Sequence, residues 1–372
     1  MIYLDNSATG GRKPDSVLTA VHSAIRLCAN AGRGGHKLSL SASKLVHDCR
    51  NALNEFFDGY GFDRVVFTKN CTEALNIALF GVLEKGDHVV TTCFEHNSVL
   101  RPLEFLQSTG VITYSVCECL DENELPQKLQ SLVQKNTKLV AVTTASNVTG
   151  AIPPIEKIRA LLPQNILLLC DGAQGGGHIP ISMQKQGVDI LTLAGHKGLM
   201  AIQGSGALLF SERVDIKPYM HGGTGSMSLS LTMPDFYPDA LEAGTLAFPA
   251  ILSLLEGVRE LTLYQREISE KIYRLTYYCI EKLRTLSDYT VYSKPNPCGI
   301  VAFKHNFLQS EYIANALSEE YDIAVRGGLH CAPLMHKALG TQDEGLVRAS
   351  FSHFNDISEL DALIDALSKI KG

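Results

Sequence analysis

Two stretches decide the fold: Ile190-Leu-Thr-Leu-Ala-Gly-His196-Lys197-Gly198 and Ile166-Leu-Leu-Leu-Cys170-Asp171-Gly-Ala-Gln174. In each, an apolar run with almost no polar interruption stops at a short polar turn. Continuous rather than alternating hydrophobicity predicts a strand covered on both faces, as in a parallel sheet. The same rhythm extends outward. Val65-Val-Phe67 leads into a helix from Thr72, and residues 88–92 into a helix near 98–107. Residues 111–116 precede a helical pattern over 122–134, residues 139–144 precede another over 155–162, and residues 206–210 close the series. Strand–helix alternation of this kind predicts a largely parallel sheet between helices. Ligands of such sheets gather beyond the carboxyl ends of the strands, where Asp171 and Lys197 are both placed.

After Phe248-Pro249 a helical pattern runs through Ile251, Leu254, Val258 and Leu261 to about residue 286. It leads to a predicted strand at 299–303, a helix at 311–320, strands at 323–326 and 346–352, and a last helix. That helix opens on Asp356-x-x-Glu359, a variant of the capping box, and carries the stripe Leu360, Leu363, Ile364, Leu367 and Ile370. The expected fold class is α/β. A large domain at 16–248 has a mainly parallel mixed sheet between helices, and a small C-terminal α+β domain at 249–372 also takes 1–15. The cleft between them is the expected site.

Hydrophobic residues at 45% and charged ones at 19% exclude a disordered chain. A formal charge of −6 gives no reason to expect nucleic acid or an anionic membrane. No apolar run is long enough to span a bilayer, and Met1-Ile-Tyr-Leu-Asp5 lacks a basic region before an apolar one, so cytoplasmic residence is expected. The ten cysteines form no Cys-x-x-Cys pair and no metal-ligand spacing, so no metal is expected and most thiols should be free.

A lysine and a carboxylate at one sheet edge are what pyridoxal phosphate requires: an amine for a Schiff base and an acid partner for the ring nitrogen. Read alone, Lys197 is a solvated loop residue and Asp171 a turn former; together they point to that cofactor. Gln174 can donate to its phenolate oxygen. Thr68-Lys-Asn-Cys71-Thr72-Glu turns a strand into a helix, whose free N–H groups suit a phosphate, with the Thr72 hydroxyl beside them. His96 again follows a strand and can stack on a pyridine face. His178, His221 and His305 read as surface residues. In Ile323-Ala-Val-Arg326-Gly-Gly-Leu-His330-Cys331-Ala-Pro333, a guanidinium at a strand end suits a substrate carboxylate, and Arg348 offers a second cation or a surface ion pair. Cys331, in a glycine-rich loop near a cation, is a candidate nucleophile.

Arg326-Gly-Gly-Leu-His330-Cys331-Ala is similar to the Arg-x-Gly-x-His-Cys-Ala signature of the NifS-like group II cysteine desulfurases. These form a branch of the class V aminotransferase superfamily that includes selenocysteine-lyase-like members. The resemblance runs from Tyr3-Leu-Asp-Asn-Ser-Ala-Thr9 to Arg348-Ala-Ser-Phe-Ser-His-Phe-Asn355. It implies a fold-type I pyridoxal-phosphate enzyme and a homodimer with shared active sites. Lys197 would bear the Schiff base, Asp171 would partner the ring nitrogen, and His96 would stack. Gln174 and Asn147 would contact the phenolate side, and Cys71, Thr72 and His196 the phosphate. Thr245 would reach the neighbouring subunit's phosphate. Arg326 and Arg348 would bind the substrate carboxylate, with His36 near the substrate entrance. The implied reaction turns L-cysteine into L-alanine with a persulfide on Cys331, to be passed to a sulfur-acceptor protein. The alternatives are a selenocysteine lyase acting on L-selenocysteine, another aminotransferase-type C–S lyase, or a non-catalytic sulfur-carrier or scaffold subunit.

The chain departs from the family in three places. Ala194 replaces a common serine donor, no Gly-Pro turn follows Lys197, and the stretch 223–241 is short.

Overall fold

The computed structural model describes residues 1–27, 30–32 and 34–370. Seven strands form the main sheet in the spatial order Val65–Thr68, Gly206–Phe210, Ile190–Ala194, Leu167–Asp171, Thr137–Thr143, Asp87–Thr92, Ile112–Cys117. Only Gly206–Phe210 runs against the rest, pairing antiparallel with both of its neighbours. The mixed, mostly parallel sheet is as expected. Leu167–Asp171 and Ile190–Ala194 are buried at every position, so leucine-rich runs without alternation are what this place in the sheet demands.

Because the other strands share one direction, their carboxyl ends open on one edge. Register fixes the neighbours there: Thr143 lies opposite Asp171, and Asp171 opposite Thr192. The helix after Thr68 runs Cys71–Val82, capped by Asn70, whose side chain accepts from the Glu73 N–H. The helix before the 137 strand is shorter than the sequence predicts, Leu125–Ser131; Asp121 holds its start by accepting the N–H groups of Glu124 and Leu125.

The helix Phe248–Leu283 packs against the helices Asp15–Leu27 and Lys37–Phe56. Beyond it a second sheet pairs Ile300–His305 antiparallel with both Val347–Ser350 and Tyr289–Val291. The predicted strand 323–326 is a two-residue one, Ile323–Ala324, parallel to Ile2–Tyr3. The chain continues this contact by bridging Asp5 to Ser350 and Arg326 to Arg348. The last helix, Ile357–Lys369, has the full capping box of Asp356 and Glu359. Leu360, Leu363 and Leu367 pack into a core with Leu4, Leu283 and Phe303. Among the described residues no helix is long and apolar enough to cross a membrane, and nine cysteines are free.

Candidate active site

Five strand ends converge on one cavity, lined among others by Thr72, His96, Asn147, Asp171, Gln174 and Lys197. Cys71 and His196 line it too. Asp171 is buried, and its Oδ1 is already held by the Ala173 N–H at 2.9 Å and the Cys71 thiol at 3.3 Å. Its Oδ2 has no partner among the described residues and is the acid edge offered to the cavity. Burial and the Asp171 carboxylate keep the Cys71 thiol protonated, so sulfur is the donor in that pair.

Lys197 comes two residues after the end of Ile190–Ala194, past Gly195 and His196, and its amine makes no hydrogen bond among the described residues. Burial, then the positive charge of Arg348, lowers its pKa, which favours the neutral, nucleophilic amine. Its backbone is held by close packing. A Cβ on Gly198 would meet the Gly176 oxygen at 2.3 Å, so only glycine fits after the lysine.

His96 caps the helix Asn97–Ser108 by accepting the Ser98 N–H at Nδ1, 3.0 Å. Nδ1 therefore carries the lone pair and Nε2 the hydrogen. Burial holds this imidazole neutral, its pKa down at about 4. The Ser98 hydroxyl lies 2.9 Å from that Nδ1 and 2.8 Å from the Thr72 hydroxyl, which joins His96 to the helix start at Cys71. With the cap of that helix taken by Asn70, the N–H groups of Cys71 and Thr72 have no partner among the described residues, which is a place for an anion. The buried His196 Nδ1 has no partner either.

The second half of the site comes from the C-terminal sheet. Arg348 is fully buried, donating to Asp5 Oδ1 and to the Asn147 carbonyl, each at 2.9 Å, while its Nε has no partner. It is not the surface ion pair that a lone strand arginine suggests. Asn147 in turn donates to the His330 carbonyl at 2.7 Å and leaves its buried Oδ1 without a partner. Gln174 donates to the Ser7 carbonyl. Cys331 is part-exposed, and Arg326 Nη2 donates to its Sγ at 3.8 Å. Both His330 and Cys331 have left-handed backbones, φ +53° and +57°, which turn the loop back so that the Asn97 N–H, next to His96, reaches the Cys331 carbonyl at 2.7 Å. The glycines before them are required. A Cβ on Gly327 would lie 2.6 Å from the Ser310 oxygen, and Gly328 has φ +101°.

Two expected residues lie elsewhere. Thr245 lines a different cavity, with Lys69 and Gly204. His36 is exposed and caps Lys37–Phe56 by accepting the Ser39 N–H. Two histidines read as surface residues are not. His305 is buried and accepts the N–H groups of Phe307 and Leu308, and His178 packs on Gly198 with its Nδ1 buried. Asp5, Ser98 and Glu95 escaped the sequence reading. Glu95, one residue before His96, is fully buried and accepts from Thr92 and the Thr143 N–H. Burial lifts its pKa to about 8. Among the described residues no cluster of His, Cys, Asp or Glu could hold a metal ion.

Residues 2–363 match the sequence model of the family Aminotransferase class-V. A probable cysteine desulfurase of Pyrococcus abyssi is 31% identical over 386 residues, covering 100% of this chain and 94% of the relative. A cysteine desulfurase of Yersinia pseudotuberculosis is 30% identical, covering 100% and 93%. Among solved structures, the apo structure of a cysteine desulfurase from Thermococcus onnurineus superposes with a TM-score of 0.91 at 30% identity, covering 99% of this chain and 94% of the other.

Proposed function

The chain belongs to the class-V aminotransferase family, and on that premise we propose that it is a pyridoxal-phosphate-dependent cysteine desulfurase carrying sulfur on Cys331. The observation that carries this reading is the pairing of two half-sites at one edge. An unbonded amine and a carboxylate with one free oxygen sit on neighbouring strand ends, and a cysteine loop with its own arginine is tied to the turn at His96.

The residues present fit the cofactor. Asp171 Oδ2 is open to a ring N–H, Asn147 and Gln174 border the cavity, and unclaimed N–H groups at Cys71 and Thr72 suit a phosphate. Pyridoxal phosphate, when bound, supplies an aldehyde for the substrate amine and a ring that accepts electrons from the substrate α-carbon.

The protein's residues do the rest. Asp171 would keep the ring nitrogen protonated, and His96, with its neutral imidazole, would help hold the ring. Lys197, freed as an amine, takes and returns the α-proton. Arg326 and Arg348 fix the substrate carboxylate so that the Cβ–S bond faces Cys331. The Cys331 thiolate bonds to the substrate sulfur as the Cβ–S bond breaks, and a proton completes alanine. In balance, L-cysteine and a thiol give L-alanine and a persulfide.

The functional division falls at 16–248 and 249–372 with 1–15, since Phe248–Leu283 leads from one sheet to the other; residues 371–372 lie outside the described ones. The protein works as a cytoplasmic homodimer in which Thr245 serves the neighbouring subunit, and a sulfur-acceptor protein takes the persulfide.

The test is to give the purified protein L-cysteine and a reductant and to measure sulfide and alanine together. Equal amounts are expected. Keto acid in place of alanine overturns the reading in favour of transamination. Faster turnover of L-selenocysteine that survives loss of Cys331 overturns it in favour of a selenocysteine lyase.

A further inference from the structure

Lys13 belongs to none of the groups assigned above. It is part-buried, has no carboxylate partner among the described residues, and donates from Nζ to the His196 carbonyl at 3.0 Å. That carbonyl begins the His196–Lys197 peptide. It also accepts the Gly10 N–H at 2.9 Å and the Thr9 hydroxyl at 3.5 Å. Three donors thus converge on one oxygen with two lone pairs, and its hydrogen bonding is satisfied without the lysine.

The segment that brings them is itself tied down. Gly11 donates to the buried Asn6 at 3.1 Å, and the Tyr3 hydroxyl to the Thr9 carbonyl at 2.9 Å. A Cβ on Gly10 would lie 3.0 Å from Lys13 Nζ and 3.4 Å from the His196 oxygen, so a larger residue here would press on the lysine tip.

Enclosing an ammonium without a carboxylate costs stability. Burial drops the Lys13 pKa to about 8, and burial also holds the neighbouring His196 imidazole neutral, with a smaller push from the lysines. An apolar side chain at this position is cheaper for folding. Keeping a cation here therefore points to function rather than to stability.

We propose that Lys13 is a positioning residue for Lys197. Its Nζ, with Gly10 and Thr9, clamps the carbonyl from which the reactive lysine departs and so fixes where that side chain starts. The inference rests on the proposed role of Lys197. Displacement of a reacting group by about an ångström can cost roughly a hundredfold in rate, so a fixed starting point has a use.

The test compares wild type, Lys13→Met and Lys13→Arg as purified. Three readouts are taken: the melting temperature, amide hydrogen exchange in a peptide covering residues 195–201, and pyridoxal phosphate retention by equilibrium dialysis. Lys13→Met is expected to melt within roughly 2 °C of wild type or higher, to exchange faster at 195–201, and to hold the cofactor roughly tenfold more weakly. Lys13→Arg should recover most of both losses. Unchanged exchange and retention in Lys13→Met overturns the proposal. So does a large fall in melting temperature that arginine fails to repair, since Lys13 is then only structural. A wild-type protein that takes up no pyridoxal phosphate sinks the desulfurase reading instead, and the exchange measurement still decides on Lys13.

Discussion

The strand-end half of the site and the cysteine-loop half are built on opposite principles. Asp171, Lys197, His96 and the Cys71–Thr72 turn each sit within a few residues of the strand that delivers them, and a single shared direction brings them together. The loop half has no such economy. Arg348 is held by Asp5 from the other end of the chain and by the Asn147 carbonyl from the main sheet, while Cys331 depends on two successive left-handed residues. The amine and the carboxylate are thus placed at strand ends, and the Cys331 thiol on a loop whose shape is set by contacts at long range.

The widest separation between the halves should come from Lys197→Ala against Cys331→Ala. The first should cost at least ~10³-fold in alanine formation and leave no borohydride-stable adduct at position 197 in peptide maps. The second should abolish sulfide release while leaving that adduct, and the protein's yellow colour, intact. Adduct loss in Cys331→Ala breaks the division into two halves.

Next in size is Arg348→Met. It removes a buried side chain that joins both halves and leaves Asp5 without its cation. A loss of about 3 kcal/mol in unfolding free energy is expected from breaking a buried pair, together with a raised KM for L-cysteine. Asp5→Asn should share the stability loss. A stable Arg348→Met protein with unchanged KM detaches the loop from the core of the site.

The smallest effect concerns Glu95, at the strand-end half. Its folded pKa near 8 lies above the ordinary carboxylate value. The stability it adds is whole at low pH and lost as pH rises through about 8. Glu95→Gln, which keeps the neutral shape, should unfold at higher denaturant than wild type at pH 9, by roughly 1–3 kcal/mol, and match it only near pH 4, below the ordinary carboxylate value. The buried imidazoles work the other way. His96, His178 and His196 have folded values pushed down to about 4, so their contribution is present above the ordinary histidine value and lost as pH falls toward 4. Denaturant midpoints across pH check both signs.

The asymmetry also explains what could be read from the sequence. Apolar runs ending on Asp171 and Lys197 announce both the sheet and the edge where the candidate site lies, because burial on two faces leaves no room for polar residues. Asp5 gave no such signal. Its role comes from a parallel bridge to Ser350 that no local pattern encodes. The histidines misled for a related reason: His305 ends the strand Ile300–His305 and is buried, and His178 sits in a loop, yet packing on Gly198 encloses its Nδ1. The helices Asp15–Leu27 and Lys37–Phe56 went unread because leucines on their outer faces, Leu18, Leu38 and Leu40 among them, blur the helical stripe.

One consequence of the Asp5–Arg348 pair concerns synthesis. The two residues are 343 positions apart. At ribosomal speeds of about 5–20 residues per second, the first leaves the tunnel roughly 20–70 s before the second. The main sheet can close in that interval, but the arginine that touches both Asp5 and Asn147 cannot. The nascent chain can therefore place its amine and carboxylate at one sheet edge well before the arginine arrives to tie Asp5 to that edge.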